Sequence, residues 1–219
     1  MKIFKIIIFF CLIILSSCNN NSLLVTGLKG VNESIKAQYA PDKRVAIYDI
    51  EIDSYNNKIV VTGEVNTKEG YQKLLDSLKS LDIDFINQIR VLPDSVIGNK
   101  MFAVANNSVI NIRSKPSHSA ELGTQGLLGM PLNVLDKKGD FFRVQTPDNY
   151  ISWVDKGGVT LMNKGEFDLY NNYKKIIYTK NFGYVYSDKS ENASVVSDIT
   201  LGGILKYMAI ENDFFKVLY

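Results

Sequence analysis

Asp140-Phe141-Phe142-Arg143-Val144 returns 73 residues later as Asp213-Phe214-Phe215-Lys216-Val217. At the same shift Asn111–Val144 lies on Tyr184–Val217 without a gap, with ten identities in 34 positions. Ser114 meets Ser187, Ser117 meets Ser190, Ala120 meets Ala193, and Leu128-Gly129 meets Leu201-Gly202. Identity spread along one fixed period is the mark of a tandem repeat. The first copy reads as short strands over 109–113, 132–135, 141–145 and 150–154, punctuated by a Pro116 loop, a Lys138-Gly139 turn and a Pro147-Asp148 turn. Short strands with turns at this spacing predict a small β-barrel for each copy. Adjacent strand residues point to opposite faces, so one ring of Phe141-Phe142 is expected in the core and the other against a neighbouring loop.

Outward from the repeats, Met162 to Tyr173 carries Phe167, Leu169 and Tyr170 and predicts a short docking helix between them. Upstream, Leu28, Val31, Ile35 and Tyr39 recur at helical spacing, and Pro41 ends that pattern. Arg44 to Asp53 alternates with one phase slip, which predicts a strand carrying a bulge. Asn56-Asn57 signals a hairpin, with the return strand over 58–65. Thr67 is the expected cap of a second helix bearing Tyr71, Leu74, Leu75, Leu78 and Leu81, and a third strand follows over 85–92. Acidic Asp49, Glu51 and Asp53 alternate on what should be a solvated strand face.

The N-terminus has a different character. Lys2 and Lys5 precede an apolar run from Ile6 to Leu15, about half of the roughly 20 residues that a spanning helix needs. A basic start, a short apolar run and small residues read as an export signal. Of 25 Lys and Arg against 23 Asp and Glu, two lysines lie in residues 1–17, so the exported chain is neutral. That balance argues against nucleic acid as a partner. Of the two cysteines, Cys11 sits in the signal and Cys18 just after it, and there is one histidine. The remaining chain therefore has no thiolate nucleophile and too few ligands for a typical zinc site. No cofactor is expected.

Four resemblances extend this reading. Leu15-Ser16-Ser17-Cys18 resembles the lipobox of bacterial lipoproteins, which implies cleavage after residue 17 and a lipid on Cys18, with 18–24 as a tether to the membrane. Lys58 to Val65 with the following helix and Ile89-Arg90-Val91 resembles BON-like envelope domains, over 25–94. Asn111-Ile112-Arg113-Ser114, the Gly-Asp-Phe-Phe-Arg-Val run and Ser152-Trp153-Val154 resemble bacterial SH3-like (SH3b) domains, over 101–161. Finally, Ala40 to Ile47, Pro116 to Leu122 and Tyr178-Thr179-Lys180 look like the N-terminal region of lipoprotein NlpC/P60 (C40) cell-wall peptidases. In that family two SH3-like domains precede a papain-like domain that cleaves γ-D-glutamyl–diamino acid bonds in peptidoglycan stem peptides.

The expected fold class is therefore α+β: a small α-β-β-α-β module, then two SH3-like β-barrels, joined by a helix over 162–173. The second barrel, over 174–219, reads as incomplete, lacking the closing strand that 150–154 supplies to the first. The resemblance implies an exported, lipid-anchored, non-catalytic chain of the cell envelope, expected to lack the peptidase domain that would be its partner. Its expected ligand is the peptidoglycan stem peptide. In the family the first SH3-like domain helps hold the free amine of the terminal L-alanine. Glu121 as carboxylate and Tyr150 and Trp153 as aromatics are the residues here that could do so, whereas the second repeat has Ser194 at the Glu121 position. His118, between Ser117 and Ser119, reads as a solvated loop residue. The alternative is a structural envelope lipoprotein module that mediates protein–protein contacts.

Overall fold

The computed structural model describes residues 22–219. The export signal expected over 1–17, the expected lipid site Cys18 and most of the expected tether lie outside the described residues. The part of the tether that is described, 22–24, is helical. The chain divides into two compact units, meeting between Leu92 and Pro93.

In the first unit a helix over 22–39 (α1) leads to strands β1 (Tyr48–Tyr55) and β2 (Lys58–Val65), helix α2 (Lys68–Ser80) and strand β3 (Phe85–Val91). The sheet order is β1-β2-β3, antiparallel then parallel. Leu28 and Ile35 of α1 and Leu74 and Leu78 of α2 share one core with Ile50, Ile52, Ile59 and Val61 of the sheet. Asn56 and Asn57 both take positive φ, as a type I′ hairpin requires. Asp49, Glu51 and Asp53 are exposed on the opposite face. One polar pair is buried: Asn32 accepts from the Tyr48 hydroxyl and donates to the Ile50 carbonyl. Burial pushes the Tyr48 phenol well above its ordinary range.

Three local expectations change here. The phase slip over Arg44–Asp53 is not a bulge. The Val45 and Ala46 amides donate to the Asp42 carbonyl in a turn, and the strand begins only at Tyr48, where the alternation is regular. Thr67 occupies the N-cap of α2 but makes no side-chain cap bond, and its hydroxyl is buried without a partner. Gly70 is required rather than awkward: a Cβ there would stand 3.1 Å from Tyr39 and 3.2 Å from Tyr48.

The second unit is built mainly of strands. Repeat 1 holds β4 (Phe102–Ala105), β5 (Val109–Arg113), β6 (Leu122–Leu127), β7 (Pro131–Lys138), β8 (Phe141–Gln145), β9 (Ile151–Asp155) and β10 (Val159–Met162). They form one sheet in the order β10-β4-β7-β8-β9-β5-β6 around a core of Ile112, Leu132, Val134, Phe142, Val144 and Val154. Helix α3 (Lys164–Asn172) follows, closed at its start by a reciprocal cap between Asn163 and Glu166. Phe167 of α3 stacks on Phe102 at 4.5 Å, and the Tyr170 hydroxyl donates to the Gly129 carbonyl.

Repeat 2 holds β11 (Lys175–Ile177), β12 (Phe182–Tyr186), β13 (Val195–Thr200), β14 (Ile204–Glu211) and β15 (Phe214–Leu218). Each strand answers one of β4 to β8 at the 73-residue shift, and the irregularities repeat too. Bulges at Ile112/Arg113 and Val134/Asp136 recur at Val185/Tyr186 and Tyr207/Ala209. Positive φ at Gly129 and Gly139 recurs at Gly202 and Asn212.

The barrels expected from the sequence are not closed. In repeat 1 the end strands β6 and β10 do not pair. The chain turns away after Leu127, and the Gly129 amide donates to Ala105 instead of continuing the ladder. In repeat 2 the strands form two separate sheets, β11-β14-β15 and β12-β13. The physical reason is visible in repeat 1, where β9 pairs with both β8 and β5 and so welds the two halves. No strand stands in that position in repeat 2 among the described residues. A cleft of about 1000 Å³ lies there, lined in part by Ile176, Tyr184, Val185, Phe215 and Val217.

Candidate functional site

The outer surface of β9 gathers the residues singled out in repeat 1. Trp153 is the cross-strand partner of Arg143 on one side and of Arg113 on the other, and Arg113 faces Leu122. Directly paired residues share a face, so these form one row across four strands. The Arg143 guanidinium lies 5.5 Å from the Trp153 ring. Arg113 donates to the Ala120 carbonyl and so pins the end of the 114–121 loop. Trp153 is half-buried on this outer row, not in the core.

Tyr150 is set by a tight turn. The Thr146 amide and hydroxyl both bond to the Tyr150 carbonyl, and Asn149 takes φ +69. The Tyr150 ring then lies over Gly123, where a Cβ would stand 2.8 Å from its hydroxyl oxygen. Glu121 immediately precedes β6. Its carbonyl accepts from the Ser114 amide, while its side chain is exposed and makes no ion pair or hydrogen bond among the described residues. Tyr150, over Gly123, and Trp153, two strands from Leu122 in the same row, thus lie near the end of β6 that Glu121 immediately precedes, and these three mark one corner of the repeat.

A neighbouring row pairs Lys138, Phe141 and Asp155. His118 tilts over Phe141 at 5.0 Å, and its Nε2 is 3.5 Å from Asp155. Phe141 is thereby covered by the loop while Phe142 fills the core, the division that strand alternation predicts. Lys156 bonds the Asp140 carboxylate at 2.7 Å and holds its pKa below the ordinary range. Among the described residues no group of three or more His, Cys, Asp or Glu could hold a metal ion.

Sequence reasoning missed Arg113 and Arg143. Their signal was available: both fall at the parity of Trp153 once β5, β8 and β9 are set side by side. In repeat 2 the corresponding residues are Tyr186 and Lys216, with Val196 in place of Gly123 and Ser194 in place of Glu121. The corner is therefore specific to repeat 1.

An exposed carboxylate beside two aromatics can receive a cation such as an ammonium group, which bonds the carboxylate and is attracted to the ring faces.

Residues 112–158 match the family model described as Bacterial dipeptidyl-peptidase Sh3 domain. This stretch is therefore similar to an SH3-type domain. It holds every residue of the corner. Solved structures to which the chain shows similarity include an NlpC/P60 family protein from Bacillus cereus, 21% identical with a TM-score of 0.45 over 53% of this chain and 50% of that one. An NlpC/P60 endopeptidase from Photobacterium damselae is 12% identical, with a TM-score of 0.43 over 87% of this chain and 42% of that one. The chain thus spans half or less of the length of either structure. No curated protein matches.

Proposed function

We propose that this chain is a non-catalytic specificity region of a cell-wall stem-peptide hydrolase, and that its SH3-type repeat binds the amino end of the peptide. The observation that carries the reading is the corner of Glu121, Tyr150 and Trp153 on an SH3-type domain. In this reading Glu121 takes the terminal ammonium, Tyr150 supplies a hydroxyl and a ring edge, and Trp153 with Arg143 walls the site. The residue inventory supports a binding role rather than a catalytic one. The single histidine is engaged with Phe141 and Asp155, and both cysteines precede residue 19. Export with a lipid on Cys18 belongs to the same proposal and would place the chain at the envelope.

Isothermal titration of residues 19–219 with defined muropeptides tests it. Binding is expected for peptides with a free terminal amine, and N-acetylation or Glu121→Gln should remove it. Absence of heat with every stem peptide would end the reading. Cleavage of muropeptide by the purified chain would overturn its non-catalytic part.

A second reading, a structural module that contacts another envelope protein, is favoured by the open cleft of repeat 2. Phe215 lines it and is largely exposed. A pulldown from envelope extract that recovers only peptidoglycan would count against it.

A further inference from the structure

The outer face of the β11-β14-β15 sheet carries a charge arrangement that repeat 1 lacks. Lys175 and Lys206 are direct cross-strand partners, and Lys206 in turn faces Leu218. Like charges set opposite each other destabilise a ladder. Neither lysine makes an ion pair among the described residues. The Lys206 ammonium lies 3.2 Å from the centroid of the Tyr173 ring. Lys175 lies 4.6 Å from that of Tyr170 and donates to the Asn171 carbonyl. The rings attract the ammonium groups but bring no net negative charge. Exposed apolar side chains surround the pair. Ile177 stands two residues along β11 on the same face, Leu218 lies opposite, and Met208 is the bulged residue of β14.

At the 73-residue shift these positions are Phe102 for Lys175, Asn133 for Lys206 and Leu135 for Met208. In repeat 1 that face is covered. Phe167 stacks on Phe102, Leu135 is buried, and the Asp94 amide bonds the Leu135 carbonyl. An apolar cover of this kind over repeat 2 would bury two ammonium groups with no carboxylate, which is strongly unfavourable. A soluble polyanion would satisfy the lysines and leave Ile177, Met208 and Leu218 in water. A surface that is anionic and apolar together satisfies both sets. At the interface of an anionic bilayer, lysines reach phosphates, apolar side chains enter the acyl boundary, and tyrosine sits at headgroup level. We propose that this face of repeat 2 is a docking surface for an anionic lipid bilayer, separate from the peptide corner on repeat 1.

The test uses residues 19–219, which hold the described cores of both units, in co-sedimentation with vesicles. Binding is expected to phosphatidylglycerol-containing vesicles, not to phosphatidylcholine alone, and should weaken as salt is raised. Lys175→Glu with Lys206→Glu should weaken it at least about tenfold. Ile177→Ser with Met208→Ser should weaken it as well, with muropeptide binding unchanged in both double variants. No binding of the unsubstituted chain to anionic vesicles overturns the proposal, as does binding that survives the lysine reversals. Tight binding to heparin that ignores the Ile177 and Met208 changes would assign the face to a soluble polyanion instead.

Discussion

Phe142 and Phe215 stand at the same place in two copies of one fold, 73 residues apart, yet Phe142 is 8% exposed and Phe215 is 59% exposed. The difference is β9. It lies against Phe142, through the Phe142–Val154 pair, and among the described residues no strand takes that place beside Phe215. Truncating Phe142 to alanine should therefore cost about 3–5 kcal/mol, the usual penalty for emptying an aromatic site in a core. Phe215→Ala should cost under about 1 kcal/mol. Urea unfolding of the two variants checks this, and equal losses would mean that repeat 2 is better covered than its exposure indicates.

A second contrast concerns two glycines. Gly129 and Gly202 both take positive φ, near +81 and +89. An added Cβ at Gly129 would stand 2.3 Å from the Ile204 carbonyl oxygen, whereas at Gly202 it would meet only the end of the Leu127 side chain. Alanine pays roughly 1–2 kcal/mol for the left-handed conformation at either position. Only Gly129→Ala must also push backbone aside. Its loss of stability in denaturant should exceed that of Gly202→Ala by more than about 1 kcal/mol.

At the peptide corner, Gly123→Ala should separate binding from folding. The new methyl would displace the flexible end of Tyr150 rather than any backbone. Stability should change by less than about 1 kcal/mol, while muropeptide affinity falls with the moved hydroxyl. Calorimetry beside a melting curve reads both, and unchanged affinity would remove Tyr150 from the site.

Acid should loosen the start of α3. Lys100 bonds the Glu166 carboxylate at 2.6 Å, and the Asn163 amide bonds it at 2.7 Å. These bonds hold its pKa below the ordinary carboxylate range. A depressed folded-state pKa means stability that is present at neutral pH and is lost as pH falls from the ordinary carboxylate value through the folded one. Glu166→Gln should therefore flatten the loss of stability as pH falls below about 5. Melting temperatures across that window test it, and parallel curves for the two proteins would show that Glu166 carries no such linkage.

Much of the architecture could be read from residues. The 73-residue recurrence places each strand of repeat 2 on one of repeat 1, and the Leu74 and Leu78 stripe marks α2. Closure could not be read, because it depends on whether distant edges meet. A three-residue turn at Leu127–Gly129 decides that for β6, and the sequence marks it only as a Gly. The apparent bulge in β1 misled for a related reason: Val45 carries strand-like character but is held in a turn by Asp42. The site was half legible. Glu121, Tyr150 and Trp153 came from residue type, but Arg113 and Arg143 emerge only when strands from separate parts of the chain are laid side by side.

The core of repeat 2 is not wholly its own. Leu128, which belongs to repeat 1 by sequence, is buried in one cluster with Ile199 and Leu205, and its carbonyl accepts the Ile204 amide. During synthesis Leu128 leaves the ribosome 77 residues before Leu205 does. The later repeat thus condenses onto a wedge already set in place by the earlier one, and chain growth from the N-terminus supplies the two in working order.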